Sequence, residues 1–245
     1  GIAVDQYSIL VQTEKVLEEH SNGQRKHVLF LDMGKIVKEI IYFANGKIQQ
    51  EIHDPSGHRT ERSFDMQGNL VAYRNLKKGI DESYFQSGKL KSQKEFDANS
   101  HIKSETTFYE TGQIETTVQY LSTETITSNY LASGQIKYQE TIKLATGIPI
   151  KREKFYNHGG LKFRKTFDQQ KKQMVVEHFY NILGRQVLQS KTVKGKTEIF
   201  DIDGKQIGTQ VKRKNLSVLQ IGEKTSQDYI LVKKKRSKLL SIEVK

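Results

Sequence analysis

The sequence predicts an all-β protein: an elongated antiparallel β-meander of tandem hairpin repeats that forms an open, twisted sheet. Three observations lead to this fold class. A Gly-containing turn signal recurs about every 11 residues, the residues between the signals alternate between apolar and polar, and the apolar share is low. Counting Gly and leaving out Tyr puts that share at about 38%, against about 45–50% in typical globular domains. We therefore expect a thin core.

The repeat consists of an aromatic residue or pair, two or three mostly polar residues, Gly, a polar residue, and Ile or Leu. Its clearer copies are Tyr42–Ile48, Phe64–Leu70, Tyr84–Leu90, Phe96–Ile102, Phe108–Ile114 and Tyr130–Ile136, and looser ones are Phe155–Leu161, Phe179–Val187 and Phe200–Ile207. The turn glycines that we single out are Gly46, Gly68, Gly88, Gly112, Gly134 and Gly204.

Each glycine supplies the positive φ that a tight hairpin turn requires. The turn at Asn99-Ser100 has no glycine, and there we expect Asn99 to adopt the positive φ. Strands joined by tight turns pair antiparallel, so at this period the stretch from Gly23 to Gly204 predicts about 16 strands.

The N-terminal segment departs from this pattern. Its residues fit either a short capped amphipathic helix or a first pair of strands; they are Asp5, Tyr7, Leu10, Val11 and Leu17. We expect three parts along the chain: an N-terminal segment at 1–22, the hairpin-repeat array at 23–207, and basic C-terminal strands that cap the sheet at 208–245.

Composition excludes several classes of function. The chain has no Cys, which rules out disulfides, Cys-ligated metal sites and thiol nucleophiles. It also has no apolar run near the 18 residues of a membrane-spanning helix. The compartment and the oligomeric state are not determined by the sequence, although the cytoplasm is slightly favoured over export.

Charge is distributed unevenly along the chain. The 245 residues include 40 basic and 28 acidic side chains, a net of +12. Residues 1–150 hold 17 basic and 19 acidic side chains, a net of −2, so residues 151–245 hold 23 and 9, a net of +14. An anionic partner or an ordinary solvated surface would both account for this asymmetry.

Basic clusters mark the C-terminal part as a candidate partner-binding region. Lys-rich strands also protect sheet edges from aggregation, so the clusters fit either role. The candidate partner-binding residues are Lys212, Arg213, Lys214, Lys233, Lys234, Lys235, Arg236 and Lys238.

No catalytic constellation is visible, and we expect no enzyme, no cofactor, no metal and no small-molecule substrate. The tightest histidine group is His53-Asp54-Pro55-Ser56-Gly57-His58. Its Asp-Pro-Ser-Gly core is typical of a β-turn that two histidines flank, although two imidazoles and a carboxylate could also hold a metal.

The units around Tyr42–Ile48, Tyr84–Leu90, Phe108–Ile114 and Tyr130–Ile136 resemble the MORN-variant repeats, a family of short β-hairpin units. The resemblance covers about residues 28–207, and it implies an antitoxin or immunity protein whose partner is a toxin or effector. Residues 24–75 are also similar to the antiparallel add-on sheet of Gram-positive glycosyltransferases, which implies acceptor binding.

The leading hypothesis is therefore a non-enzymatic binding or scaffold protein that presents an extended β-sheet surface to a protein partner. The first alternative is the accessory, acceptor-binding sheet of a glycosyltransferase complex. The second is a protein that binds an anionic polymer, a membrane surface or a nucleic acid through residues 151–245.

Overall fold

The computed structural model confirms the predicted fold class: an all-β, antiparallel meander of hairpins. It describes residues 13–54, 57–168, 170, 174–213, 216–221, 229–233 and 240–244, with side chains as far as residue 209. Every regular element in these residues is a β-strand, and they include no helix that could span a membrane.

The chain divides into two compact units, residues 1–112 and 113–245. In the first unit each strand pairs antiparallel with the next one along the chain. Its strands are β1 (Thr13–Glu19), β2 (Arg25–Asp32), β3 (Lys35–Tyr42), β4 (Ile48–His53), β5 (Thr60–Phe64), β6 (Leu70–Asn75), β7 (Ile80–Tyr84), β8 (Leu90–Phe96) and β9 (Ile102–Phe108).

The second unit continues the same rule from β10 to β19, and β20 and β21 form a separate hairpin. Its strands are β10 (Ile114–Tyr120), β11 (Glu124–Tyr130), β12 (Ile136–Lys143), β13 (Pro149–Phe155), β14 (Leu161–Phe167), β15 (Met174–Tyr180), β16 (Gln186–Val193), β17 (Lys196–Phe200), β18 (Gln206–Arg213), β19 (Leu216–Ile221), β20 (Tyr229–Lys233) and β21 (Leu240–Val244).

The predicted strand count is confirmed, since the described residues between Gly23 and Gly204 form the sixteen strands β2 to β17. For the part of the N-terminal segment that the structure describes, the alternative of a helix is wrong. Leu17 lies in β1, and Val16 pairs with Val28 of β2. Residues 1–12 lie outside the described residues. The three-part division of the chain stays a prediction.

The sequence repeat corresponds to the closure of a hairpin. Every odd-numbered strand from β3 to β17 ends on an aromatic residue, and the following strand, as far as β14, begins with Ile or Leu. In the first copy Tyr42 faces Ile48, and the pairing shifts by one residue there, as in a β-bulge.

The loop of that copy shows why glycine is needed. The Phe43 amide donates to the Lys47 carbonyl over 2.8 Å, and the Gly46 amide donates to the Phe43 carbonyl over 2.9 Å. Gly46 has a φ of 78°. This is the geometry of a three-residue hairpin loop that ends on a left-handed residue.

An Asp or Asn side chain at the start of several loops binds the loop backbone. In the turn that begins at Asp97, its Oδ1 accepts from the amides of Asn99 (2.8 Å) and His101 (2.9 Å). The prediction that Asn99 would adopt the positive φ is wrong, because Ser100 has a φ of 65°. Ser100 stands in the glycine position of the loop, so the loop geometry and not the residue type decides which residue is left-handed.

Successive loops on one edge of the first unit also bind each other. The Asn22 side chain donates to the Ala44 carbonyl over 2.9 Å, and Lys47 donates to the Gln67 carbonyl over 2.8 Å. These contacts join residues 22 and 20 positions apart, the length of one full hairpin. The structural repeat is therefore a two-strand unit of about 22 residues, twice the glycine period.

Among the side chains that the structure describes, the apolar core is small, as the composition indicates. In the first unit the buried apolar side chains are Val28, Ile40 and Ile52. In the second unit they form one cluster against which Phe163 and Ile207 pack, namely Phe179, Val187, Leu188 and Ile199. The rings of Phe163 and Phe179 lie 5.2 Å apart at a tilt of 58°, a favourable aromatic arrangement.

We expect Met33→Asn to raise the free energy of unfolding by up to about 1 kcal/mol. Met33 is exposed in a two-residue turn with a φ of 46°, which strains a Met backbone and suits Asn. Urea unfolding measures the change. The control is Met66→Asn, which makes the same substitution in an exposed turn without a positive φ. Equal effects at both positions would contradict the strain argument.

We also expect Leu188→Ala to destabilise the second unit by about 2–5 kcal/mol, because it opens a cavity in the apolar cluster. Leu188 is fully buried, whereas Leu183, in the preceding turn, is 74% exposed. Leu183→Ala is the matched control and should change the unfolding midpoint little. A similar loss in both variants would show that the cluster does not stabilise the fold.

Candidate binding surfaces

The eight basic residues that we predicted to contact a partner lie near the C-terminus, and the structure describes only the backbone of three. Lys212 and Arg213 end β18, and Lys233 ends β20. The other five lie outside the described residues: Lys214, Lys234, Lys235, Arg236 and Lys238. Their role as a binding stripe stays a prediction.

The six turn glycines all have a positive φ. The values are 78° at Gly46, 94° at Gly68, 78° at Gly88, 97° at Gly112, 88° at Gly134 and 79° at Gly204. An added Cβ would meet no atom within 4 Å at five of them, and would lie 3.4 Å from Gln24 Oε1 at Gly46. Glycine is therefore favoured at these positions by the positive φ of the backbone and not by a lack of room for a side chain.

The histidine group flanks a turn whose middle, Pro55 and Ser56, lies outside the described residues. Gly57 has a φ of 77°, and the ammonium of Lys77 donates to Nε2 of His58. Among the described residues, no three His, Asp or Glu side chains are arranged to hold a metal ion.

One face of the first unit carries a ladder of alternating charges across its strands. Arg74 on β6 makes a two-pronged contact with Asp81 on β7, with Nε–Oδ1 at 2.5 Å and Nη2–Oδ2 at 2.9 Å. The other side of Arg74 faces Glu61 on β5 at 3.9 Å. Lys94 and Glu105 extend the ladder to β8 and β9 at 3.5 Å. The hydrogen bond and charge of Asp81 raise the pKa of Arg74.

A shallow groove of about 370 Å³ lies beside this ladder. Its floor is a cross-strand row of small side chains on β5 to β8: Ser63, Ala72, Ser83 and Ser92. Ser83 and Ser92 share a hydrogen bond of 2.7 Å. The groove is open to solvent, whereas typical small-molecule sites enclose most of their ligand.

The opposite face of the same strands holds a half-buried phenol. Tyr84 donates to Glu82 Oε2 over 2.5 Å, and Gln93 donates to Glu82 Oε1 over 3.1 Å. Burial, together with the hydrogen bond and charge of Glu82, raises the pKa of Tyr84 to about 12. The phenol is therefore a fixed hydrogen-bond donor at neutral pH and not an acid–base group.

A buried carboxylate organises one face of the second unit. Glu153 on β13 is 4% exposed, and it accepts from Lys151 Nζ at 2.9 Å and from Arg164 Nε at 2.7 Å. Burial alone would raise its pKa, but the hydrogen bonds from these two cations outweigh burial, and the pKa lies below the usual value of 4.5.

His178 on β15 directly faces Arg164 across the β14–β15 pair. Burial, and then the charge of Arg164, lowers the pKa of His178, so its ring is neutral at pH 7. Its Nδ1 is buried without a hydrogen-bond partner among the described residues.

Strand alternation divides the basic clusters of β13 and β14 between two faces. Lys151 and Arg164 lie on the face of Glu153, whereas Arg152 and Lys165 lie on the other face, beside the apolar cluster. There Arg152 binds Glu140 at 2.5 Å and Lys165 binds Glu177 at 2.9 Å. Adjacent basic residues in the sequence thus belong to separate surfaces.

Sequence reasoning missed the groups that organise these surfaces: Arg74, Asp81, Glu153 and Glu177. The register of the paired strands could have predicted these contacts. Once a hairpin turn is placed, residues that face each other follow by counting, and opposite charges then fall together, as at Glu61 and Arg74.

We expect Glu153→Gln to lower the free energy of unfolding at pH 7 by about 1–3 kcal/mol, because two cations lose their buried counter-charge. Urea unfolding measures the loss. The control is Glu198→Gln, which breaks the exposed pair of Glu198 and Lys196 and should cost less than about 1 kcal/mol.

The difference between wild type and Glu153→Gln should also depend on pH. The folded pKa of Glu153 is depressed, so its stabilisation is complete above the unfolded value of 4.5 and is lost as pH falls through the folded pKa. A difference that stayed constant below pH 4.5 would contradict the ionic origin.

Sequence comparison gives one match to a protein family. Residues 35–53, which are the β3–β4 hairpin and its loop, match the MORN repeat variant. No curated protein matches the chain.

The chain also has weak structural similarity to chains of toxin complexes. The crystal structure of TcdB2-TccC3-Cdc42 is 10% identical with a TM-score of 0.21, and that of TcdB2-TccC3 without its hypervariable C-terminal region is 12% identical with a TM-score of 0.21. The Tc holotoxin pore of Photorhabdus luminescens is 10% identical with a TM-score of 0.18. Each match covers 84% of this chain but only 14–15% of the other chain.

The chain thus spans about 15% of the length of the chains it matches in structure. MORN repeats are repeat modules that bind proteins or membranes and are not an enzyme family. The hairpin formed by residues 35–53 is similar to a variant of that repeat.

Proposed function

We propose that this chain is a non-enzymatic binding protein that presents the faces of its β-sheet to a protein partner. The observation that carries the proposal is the form of its surfaces. Each unit exposes broad strand faces with ordered rows of opposite charge, and only a few of the described apolar side chains in each unit are buried.

Ordered charge favours recognition of another protein surface. The Arg74–Asp81 and Glu153–Arg164 contacts hold their side chains in place, so the donors and acceptors at the surface are preorganised. Preorganisation reduces the entropy lost on binding, and rows of charge give specificity through complementarity.

The class of partner that we propose is a toxin or effector. Its support is the resemblance of the repeats to MORN-variant units, together with the match of residues 35–53. An extended sheet face suits the capture of a folded partner because its contacts are spread over several strands.

The test is reconstitution of a complex from purified components. The whole chain is mixed with each toxin or effector encoded next to it, and complexes are measured by size-exclusion chromatography with light scattering. We expect one identified protein to form a complex of defined stoichiometry, with chemical cross-links to residues on the strand faces.

Variants then test whether the ordered charges take part. Lys94→Glu disrupts the ladder of the first unit, and Lys89→Glu places the same change in a loop. If the first unit is the contact surface, Lys94→Glu weakens the complex about tenfold or more, and Lys89→Glu has little effect. Turnover of a small molecule by the chain, with no protein complex formed, would overturn the proposal.

A further inference from the structure

In the second unit, five of the eight cations on strands β13 to β17 lie on the face opposite the apolar cluster. Phe163, Phe179 and Leu188 face one another across β14, β15 and β16, on the face that carries the apolar cluster. The other face of β13 to β17, which we call the basic face, carries five cations: Lys151, Lys162, Arg164, Lys191 and Lys196.

Two carboxylates lie among these cations on the described strands. Glu153 is shared by Lys151 and Arg164, and Glu198 is bound by Lys196 at 2.8 Å. Lys162 and Lys191 are exposed, and neither forms an ion pair within 4 Å among the described residues. Lys191 faces Glu198 across the β16–β17 pair, and the ammonium of Lys162 lies 5.2 Å from the ring centre of Tyr156. The basic face thus has excess positive charge that its own acidic groups do not neutralise.

We propose that the basic face of β13–β17 is the docking surface for the acidic face of a protein partner. This inference rests on the proposed function and names the surface and the partner's chemistry. Complementary charge across such a contact accelerates association and selects against basic proteins.

The composition of the face favours a protein over a continuous polyanion. Glu153 and Glu198 interrupt the row of cations, and a phosphate chain laid across them would meet like charge at both places. Thr166 and Gln189 add neutral hydrogen-bonding groups on the same face. A protein surface can place separate carboxylates opposite the cations and neutral groups opposite the gaps.

The dimensions of the face agree with a protein contact. Five strands about 4.8 Å apart and about seven residues long give an area of about 600 Å². Standard interfaces bury about 800 Å² on each partner, and transient complexes bury less. The basic face therefore matches a small, electrostatically steered interface.

The experiment measures binding of three anionic probes to the whole chain by fluorescence anisotropy. The probes are a peptide in which Glu alternates with pairs of Ser and Gly, a single-stranded oligothymidylate, and phosphatidylserine-containing vesicles, compared at equal charge. We expect the spaced-Glu peptide to bind most tightly and to weaken as salt is raised. Tighter binding of the oligothymidylate or the vesicles would overturn the choice of a protein partner.

The location is tested with a pair of matched variants. Lys162→Gln/Lys191→Gln removes the two exposed cations that form no ion pair and should weaken binding of the spaced-Glu peptide about tenfold. Lys154→Gln/Lys205→Gln removes the same charge from the opposite face and from a loop, and should have little effect. Equal losses in both variants, or no loss in the first, would overturn the basic face as the site.

Failure of this inference can be told apart from failure of the proposed function. A partner complex that forms with the whole chain but is unaffected by Lys162→Gln/Lys191→Gln would overturn the basic face and leave the proposed function intact. Unfolding midpoints of both double variants that equal the wild-type value show that a loss of binding is not a loss of fold.

Discussion

Closure of the hairpins by a left-handed loop residue, which occurs in every fully described loop except that between β10 and β11, is the constraint on which the rest of this structure depends. The loop sets the register of the two strands that it joins, and register decides which side chains face each other. The ladder through Arg74 and the buried Glu153 are both consequences of loop placement. A shift by one residue would transfer every side chain of a strand to the opposite face, so the charge rows and the apolar cluster depend on the same loops.

The fold could be predicted because its signals are local. An aromatic residue, a Gly and an Ile or Leu lie within seven residues of each other, and they mark both strand ends and the loop between them. Position in the loop also outranks residue type, which is why Ser100 and not Asn99 is left-handed. The surfaces could be predicted less well. Glu153 is buried in contact with Lys151 on its own strand and Arg164 on the next strand, and the amino-acid composition does not reveal such contacts.

In the second unit the apolar cluster lies on one face of the sheet, and most of the cations of β13 to β17 lie on the other face. Phe179, Leu188 and Ile199 stabilise the sheet from one side, which leaves the other side to be shaped by charge. On that other side, Glu153 binds both Lys151 and Arg164, so ion pairs fix the arrangement of these side chains.

The contacts between successive loops, which join residues one full hairpin apart, determine which insertions and deletions this fold can accept during evolution. Each two-strand unit touches mainly the units before and after it, so duplication or deletion of a whole unit would preserve register and faces on both sides. A gain or loss of eleven residues would instead reverse the direction of every later strand. Gene duplication in steps of about 22 residues would therefore widen the sheet and preserve the register of the strands on both sides.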